Sequence, residues 1–76
     1  MQVNTTTVNN THAVVIAVNG VEYVYASNSS LHVCQATRDA VARDIARHGD
    51  VGAFIAGLPV VQTRINRHGR TVRFTV

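Results

Sequence analysis

One cysteine and four histidines are the side chains of this sequence best suited to nucleophilic or metal chemistry: Cys34, with His12, His32, His48 and His68. Their spacing argues against both uses. His32 and Cys34 stand two apart, and on a helix such positions do not face each other, so they make no nucleophile–base pair. No His-x₃-His pair and no second cysteine supplies zinc-ligand spacing. The four acids are Glu22, Asp39, Asp44 and Asp50. Asp39 and Asp50 suit helix-surface and capping roles, and Asp44 stands four residues before His48 as its expected partner. No carboxylate dyad for acid–base work results. The stretch "GDVGAFIAG" follows an expected helix rather than a strand and lacks the glycine spacing of a phosphate loop. The expectation is a non-enzyme with no metal and no cofactor, in which Cys34 is a structural, half-buried thiol.

The arginines are the other chemical feature. There are seven, with no lysine, against four acids, for a net charge of +3. Arginine suits bidentate and stacked contacts, although a GC-rich genome produces the same bias. Arg64, Arg67, Arg70 and Arg73 recur every third residue in "RINRHGRTVRFTV". On a helix they would share one side. However, Val61, Thr63, Ile65, Val72, Phe74 and Val76 alternate with period two, which reads as a hairpin. A two-residue turn at His68-Gly69 pairs Arg67 with Arg70, Ile65 with Val72, Thr63 with Phe74 and Val61 with Val76. Arg64 then faces Arg73 on the polar side. Like charges directly opposed in a sheet cost roughly 0.2–1 kcal/mol, relieved by Glu22, by a partner's anionic groups or by water. Arg38, Arg43 and Arg47 form a second basic strip on the helix.

These side chains need elements to hold them. "HAVVIAVNGVEYVYA" places two β-rich runs around Asn19-Gly20, the favoured pair for a type I′ turn. That turn opposes Val18 with Val21, Ile16 with Tyr23 and Val14 with Tyr25 on a large apolar face. The other face carries Ala17–Glu22, Val15–Val24 and Ala13–Ala26. Upstream, "QVNTTTV" has strand propensity, and Asn9-Asn10 could turn it onto the next run. Residues 1–10 therefore read as an extra edge strand or a frayed tail. One of Asn28, Ser29 or Ser30 caps a helix over residues 31–48, with Val33, Thr37, Ala40, Val41 and Ile45 on the apolar stripe and Cys34 at its edge. Asp39 precedes Arg43 by four, the better ion-pair order. Gly49 ends this helix, and Asp50 caps a short second one, "VGAFIAGL", stopped by Gly57 and Pro59. The expected fold is α+β: an antiparallel sheet of two hairpins packed on a main helix and a short one.

Seventy-six residues imply a single domain, 1–76, which buries about 60% of its unfolded surface. No apolar run approaches the roughly 18 residues of a membrane span, and the first residues lack a signal-peptide pattern. A cytoplasmic location is expected, and the single cysteine fits a reducing compartment. The sequons at Asn4, Asn9 and Asn28 are accordingly discounted.

Two kinds of partner remain. Ala13, Val15, Ala17, Val24 and Ala26 beside Arg64 and Arg73 compose an apolar centre with an arginine rim, the composition of a protein interface. The expected partner-binding residues are Arg64, Arg73, Arg67, Arg70, Gln62 and Glu22. Self-association as a homodimer, or strand addition at an edge, would use the same region. The alternative is a nucleic-acid-binding regulator that inserts an arginine-bearing hairpin into a groove, although no aromatic stacking platform is visible.

In overall profile the chain resembles small phage-encoded anti-defence proteins, including anti-CRISPR inhibitors. The shared features are one short domain, no targeting signal, no catalytic constellation and a surface suited to occlusion. The resemblance implies an inhibitor that docks on a host nucleoprotein effector and blocks it sterically. The net positive charge departs from the DNA-mimic pattern, so it implies an acidic protein surface as the target.

Overall fold

The computed structural model describes residues 2–8 and 10–75. The elements run β1 (Gln2–Val8), β2 (Thr11–Val18), β3 (Val21–Asn28), α1 (Leu31–His48), α2 (Val51–Ala56), β4 (Gln62–Ile65) and β5 (Thr71–Phe74). The fold is α+β, one five-stranded sheet in the order β1-β2-β3-β5-β4. The N-terminal run is a true strand, paired antiparallel with β2 along its whole length. All neighbours are antiparallel except β3 and β5, which run parallel. The two hairpins therefore join through a crossover carrying both helices, the connection that a parallel pair requires.

The β2–β3 turn forms as its sequence dictates. Asn19 and Gly20 both take positive φ, 51° and 79°, as a type I′ turn demands. Val18 opposes Val21, Ala17 Glu22, Ile16 Tyr23 and Val15 Val24. Beyond that point the expected register fails. A β-bulge between Val14 and Val15 makes Val14 oppose Ala26 and Ala13 oppose Ser27, leaving Tyr25 as the extra residue. The bulge has its own support: Thr75 Oγ1 lies 3.0 Å from the carbonyl oxygens of both Val24 and Tyr25. It also lets Tyr25 stack on Phe54 of α2, with ring centroids 6.5 Å apart.

Ser30 caps α1, its Oγ accepting from the Val33 N–H at 3.4 Å, and Asn28 Oδ1 accepts from the Ser30 N–H at 2.8 Å. Gly49, at φ 77°, closes the helix by donating its N–H to the Ile45 carbonyl. Asp50 caps α2 through the Ala53 N–H. The buried positions of α1 are Cys34, Val41 and Ile45. Cys34 is thus fully inside rather than at the edge of the stripe, and Val33 turns out to solvent. The core joins Ile16 and Tyr23 of the sheet to Val41 and Ile45 of α1, with Val3, Val18, Phe54 and Ile55 packed around them. Ile16 and Val14 are completely inaccessible. Burying each contributes about 1.5–3 kcal/mol relative to exposure.

α1 runs for 18 residues and lies over β1, β2 and β3, while α2 has only six. Among the described residues neither helix reaches β4 or β5, and nothing covers the opposite face of the sheet. Among the described residues no helix is long and apolar enough to cross a membrane.

Candidate protein-interaction face

The faces that the terminal hairpin presents depend on its loop. Gly69 takes φ 78° and donates its N–H to the Asn66 carbonyl at 3.0 Å, while the Asn66 N–H donates to the Arg70 carbonyl at 2.9 Å. Asn66 Oδ1 also accepts from the N–H groups of His68 and Arg70, both at 2.9 Å. The result is a three-residue loop, Arg67-His68-Gly69, a type I turn followed by a left-handed glycine. The expected two-residue turn at His68-Gly69 is therefore corrected, because the Asn66 side chain claims two backbone donors that a shorter loop would not present to it.

Changing the loop by one residue shifts the register and turns side chains to the other face. Arg64 opposes Val72, Thr63 opposes Arg73, Gln62 opposes Phe74 and Ile65 opposes Thr71. Arg64 and Arg73 thus do not face each other, and Arg67 and Arg70 do not pair. The expected Val61–Val76 pair lies outside the described residues. Val72 and Phe74 move onto the face away from the helices, and Arg73 moves to the helix side. There its Nη1 donates to the Tyr23 hydroxyl at 2.9 Å, with the guanidinium 5.7 Å from the ring centroid. Arg73 covers the rim of the core where the helices stop.

The open face then has a definite composition. A shallow recess of about 550 Å³ is lined at its centre by Ala13, Val15, Val24, Val72 and Phe74, with Arg64 at one side. Thr6, Thr11, Ser27 and Glu22 complete its border. Ala26, expected here, has been carried opposite Val14 by the bulge. Val72 and Phe74 replace it; the two-residue turn would put them on the face opposite Arg64. Arg64 lies over the Phe74 ring, 5.8 Å from its centroid. With the Gln62 amide oxygen turned towards it, Arg64 also donates to Gln62 through Nε (2.8 Å) and Nη2 (2.9 Å). These contacts hold the guanidinium over the aromatic ring, with Nε and Nη2 turned to Gln62.

A second, more polar recess of about 350 Å³ continues from Val15 and Ala17 towards Gln2, Asn4 and Thr6 of β1. Its border includes Glu22 and Arg70, which form an ion pair at 3.0 Å. Glu22 therefore answers Arg70 rather than Arg64 or Arg73.

The remaining charges sort simply. Arg38 pairs with Asp39 at 3.1 Å, and Arg47 pairs with Asp44. Asp39 thus does not reach Arg43, and Asp44 pairs with Arg47 instead of His48. Two members of the expected helical strip are neutralised locally. The four arginines without a described carboxylate within salt-bridge distance are Arg43, Arg64, Arg67 and Arg73. Three of these four belong to the β4–β5 hairpin and its loop, so the positive excess gathers at that end of the sheet. Cys34 is 1% exposed, with its Sγ 4.0 Å from the Asn28 carbonyl oxygen.

No family model, curated protein or solved structure matches this chain.

Proposed function

We propose that the protein is a non-catalytic protein-binding module that docks through the open face of its sheet. The observation that carries this reading is the uncovered apolar recess at Val15, Val24, Val72 and Phe74, flanked by Arg64. An apolar centre with arginine and aromatic groups is the composition that distinguishes protein interfaces from ordinary surface. An exposed apolar sheet face is also costly to keep unless something occupies it. The local positive excess favours a partner surface bearing carboxylates around an apolar patch. The wider role, a steric inhibitor of a host nucleoprotein effector, rests on the resemblance in sequence profile, and the chemistry of the face is compatible with it.

The test is affinity capture from bacterial lysate with and without nuclease, comparing the wild-type chain with Val24→Lys and Arg64→Glu variants. Circular dichroism checks that each variant folds. A protein captured after nuclease treatment, and lost with both folded variants, supports the reading. Retention of that protein by both variants rejects the open face as the docking site.

The second reading, nucleic-acid binding, draws on the arginines of the hairpin. Among the described residues only Arg64 and Arg67 stand clear of intramolecular aromatic-hydroxyl or acid partners there, since Arg70 is tied to Glu22 and Arg73 to Tyr23. Two neutralised phosphates give a log–log salt slope of about −2 on duplex DNA, a weak electrostatic grip. A measured slope of about −4 or steeper would favour this reading over the first.

A further inference from the structure

The outer edge of β4 is a second feature of the hairpin that the open face does not use. Among the described residues β4 pairs only with β5, and all four of its residues are exposed. The Asn66 N–H donates to the Arg70 carbonyl across the hairpin. Alternation along an antiparallel pair then turns the backbone groups of Gln62 and Arg64 towards β5. Those of Thr63 and Ile65 point to the free edge. Ile65 is 73% exposed, the highest value for any large apolar side chain among the described residues. It shares the helix-side face with Thr63, beyond the reach of either helix. Arg64 and Gln62 share the other face. The edge therefore offers unpaired hydrogen-bonding groups with apolar surface above and a guanidinium below.

We propose that this edge accepts an extended acidic segment of the partner protein as a sixth strand. The inference rests on the protein-binding reading above and names the chemistry of one contact. Main-chain bonds to Thr63 and Ile65 would hold the segment, as in other cases of strand addition. Its side chains alternate between the two faces of the sheet. Apolar residues fall beside Ile65, and carboxylates fall beside Arg64. The position opposite Arg64 lies between the outward-facing pairs, where cross-strand side chains approach most closely in an antiparallel arrangement. Charge selects an acidic occupant over a second copy of this chain. A symmetric antiparallel pair centred on Arg64 opposes two guanidiniums, and any pair of β4 edges brings two arginine-bearing loops together. The other edge of the sheet, β1, presents the run "QVNTTTV", which carries no charge to select an acidic segment.

The test uses a fluorescein-labelled synthetic peptide in which Glu alternates with Val, read by anisotropy. Three comparisons accompany it: the same residues in two blocks, an alternating Lys/Val peptide, and the Glu/Val peptide N-methylated at alternate amides in each of the two phases. The alternating Glu/Val peptide is expected to bind best. N-methylation in one phase is expected to weaken it about tenfold, as loss of an edge hydrogen-bond pair should. Thr63→Pro removes an outward N–H without touching the β4–β5 ladder, and should weaken binding by a similar factor. Val24→Lys, on the open face, should leave peptide binding unchanged while abolishing capture of the whole partner. No binding of the Glu/Val peptide overturns the proposal, as does equal binding of both N-methylated forms. Loss of peptide binding in folded Val24→Lys would also overturn it, placing the peptide on the sheet face and leaving the protein-binding reading standing. Single-stranded oligothymidylate that displaces the peptide, and itself binds more tightly, would overturn it in favour of nucleic acid.

Discussion

Asn66→Ala should destabilise the protein out of proportion to its surface position. Asn66 Oδ1 accepts from the backbone N–H groups of His68 and Arg70, both at 2.9 Å. A hydrogen bond contributes about 0.5–1.5 kcal/mol net. The two freed N–H groups belong to exposed residues and can turn to water, so the lower part of that range applies. The loss should total about 1–2 kcal/mol. In a chain of this size each kcal/mol moves Tm by about 4–8 °C, giving a fall of about 5–15 °C by circular dichroism. Asn66→Asp keeps the acceptor and places a negative charge beside Arg67 and Arg70, so it should match or exceed the wild type. The loop also selects the register, so amide exchange at His68 and Arg70 should accelerate in the alanine variant. An alanine variant with unchanged Tm, or an aspartate variant as damaged as the alanine one, would refute the role assigned to this side chain.

Two further outcomes follow from burial. Ile16→Ala removes most of a fully enclosed side chain and should cost about 2–5 kcal/mol. That is a large part of the roughly 4–11 kcal/mol available to a chain of this length; a shift in urea midpoint worth less than about 1 kcal/mol would mean the core lies elsewhere. Cys34, almost wholly inaccessible, should react with a disulfide reagent only as fast as the chain opens, with the rate rising in urea. Complete labelling of the native protein on mixing would contradict its placement.

Local turn chemistry made much of this fold legible in sequence. Asn19-Gly20 fixes one turn type and therefore one register near the turn, and Ser30, Gly49 and Asp50 mark the helix ends by the groups they cap. The errors came where a side chain or a distant segment arbitrates. His68-Gly69 reads as a two-residue turn only while Asn66 is treated as a strand residue; its acceptor oxygen decides otherwise. The bulge at Tyr25 is supported by the Thr75 hydroxyl and by Phe54, 50 and 29 residues distant in sequence. Both errors moved side chains between faces, so the site changed more than the fold. Arg64, Gln62, Val15 and Val24 remained on the open face, Ala26 and Arg73 left it, and Val72 and Phe74 joined it. The parallel pairing of β3 with β5 had no local signal, because nothing in a strand's own residues states which distant strand will lie beside it.

That parallel pairing has a cost during synthesis. Val24 must wait for Phe74, 50 residues later in the chain. At about 5–20 residues per second, the nascent chain carries an unfilled slot beside β3 for roughly 3–10 s. The β1–β2–β3 meander and α1 need only nearby segments and can assemble in that interval, closing contacts of low loop entropy first. The bare flank of β3 would then be the most adhesive surface on the half-made molecule, until β5 slides in and seals it. A chaperone or a ribosome-bound factor that shields one strand, rather than the whole chain, would serve this protein best.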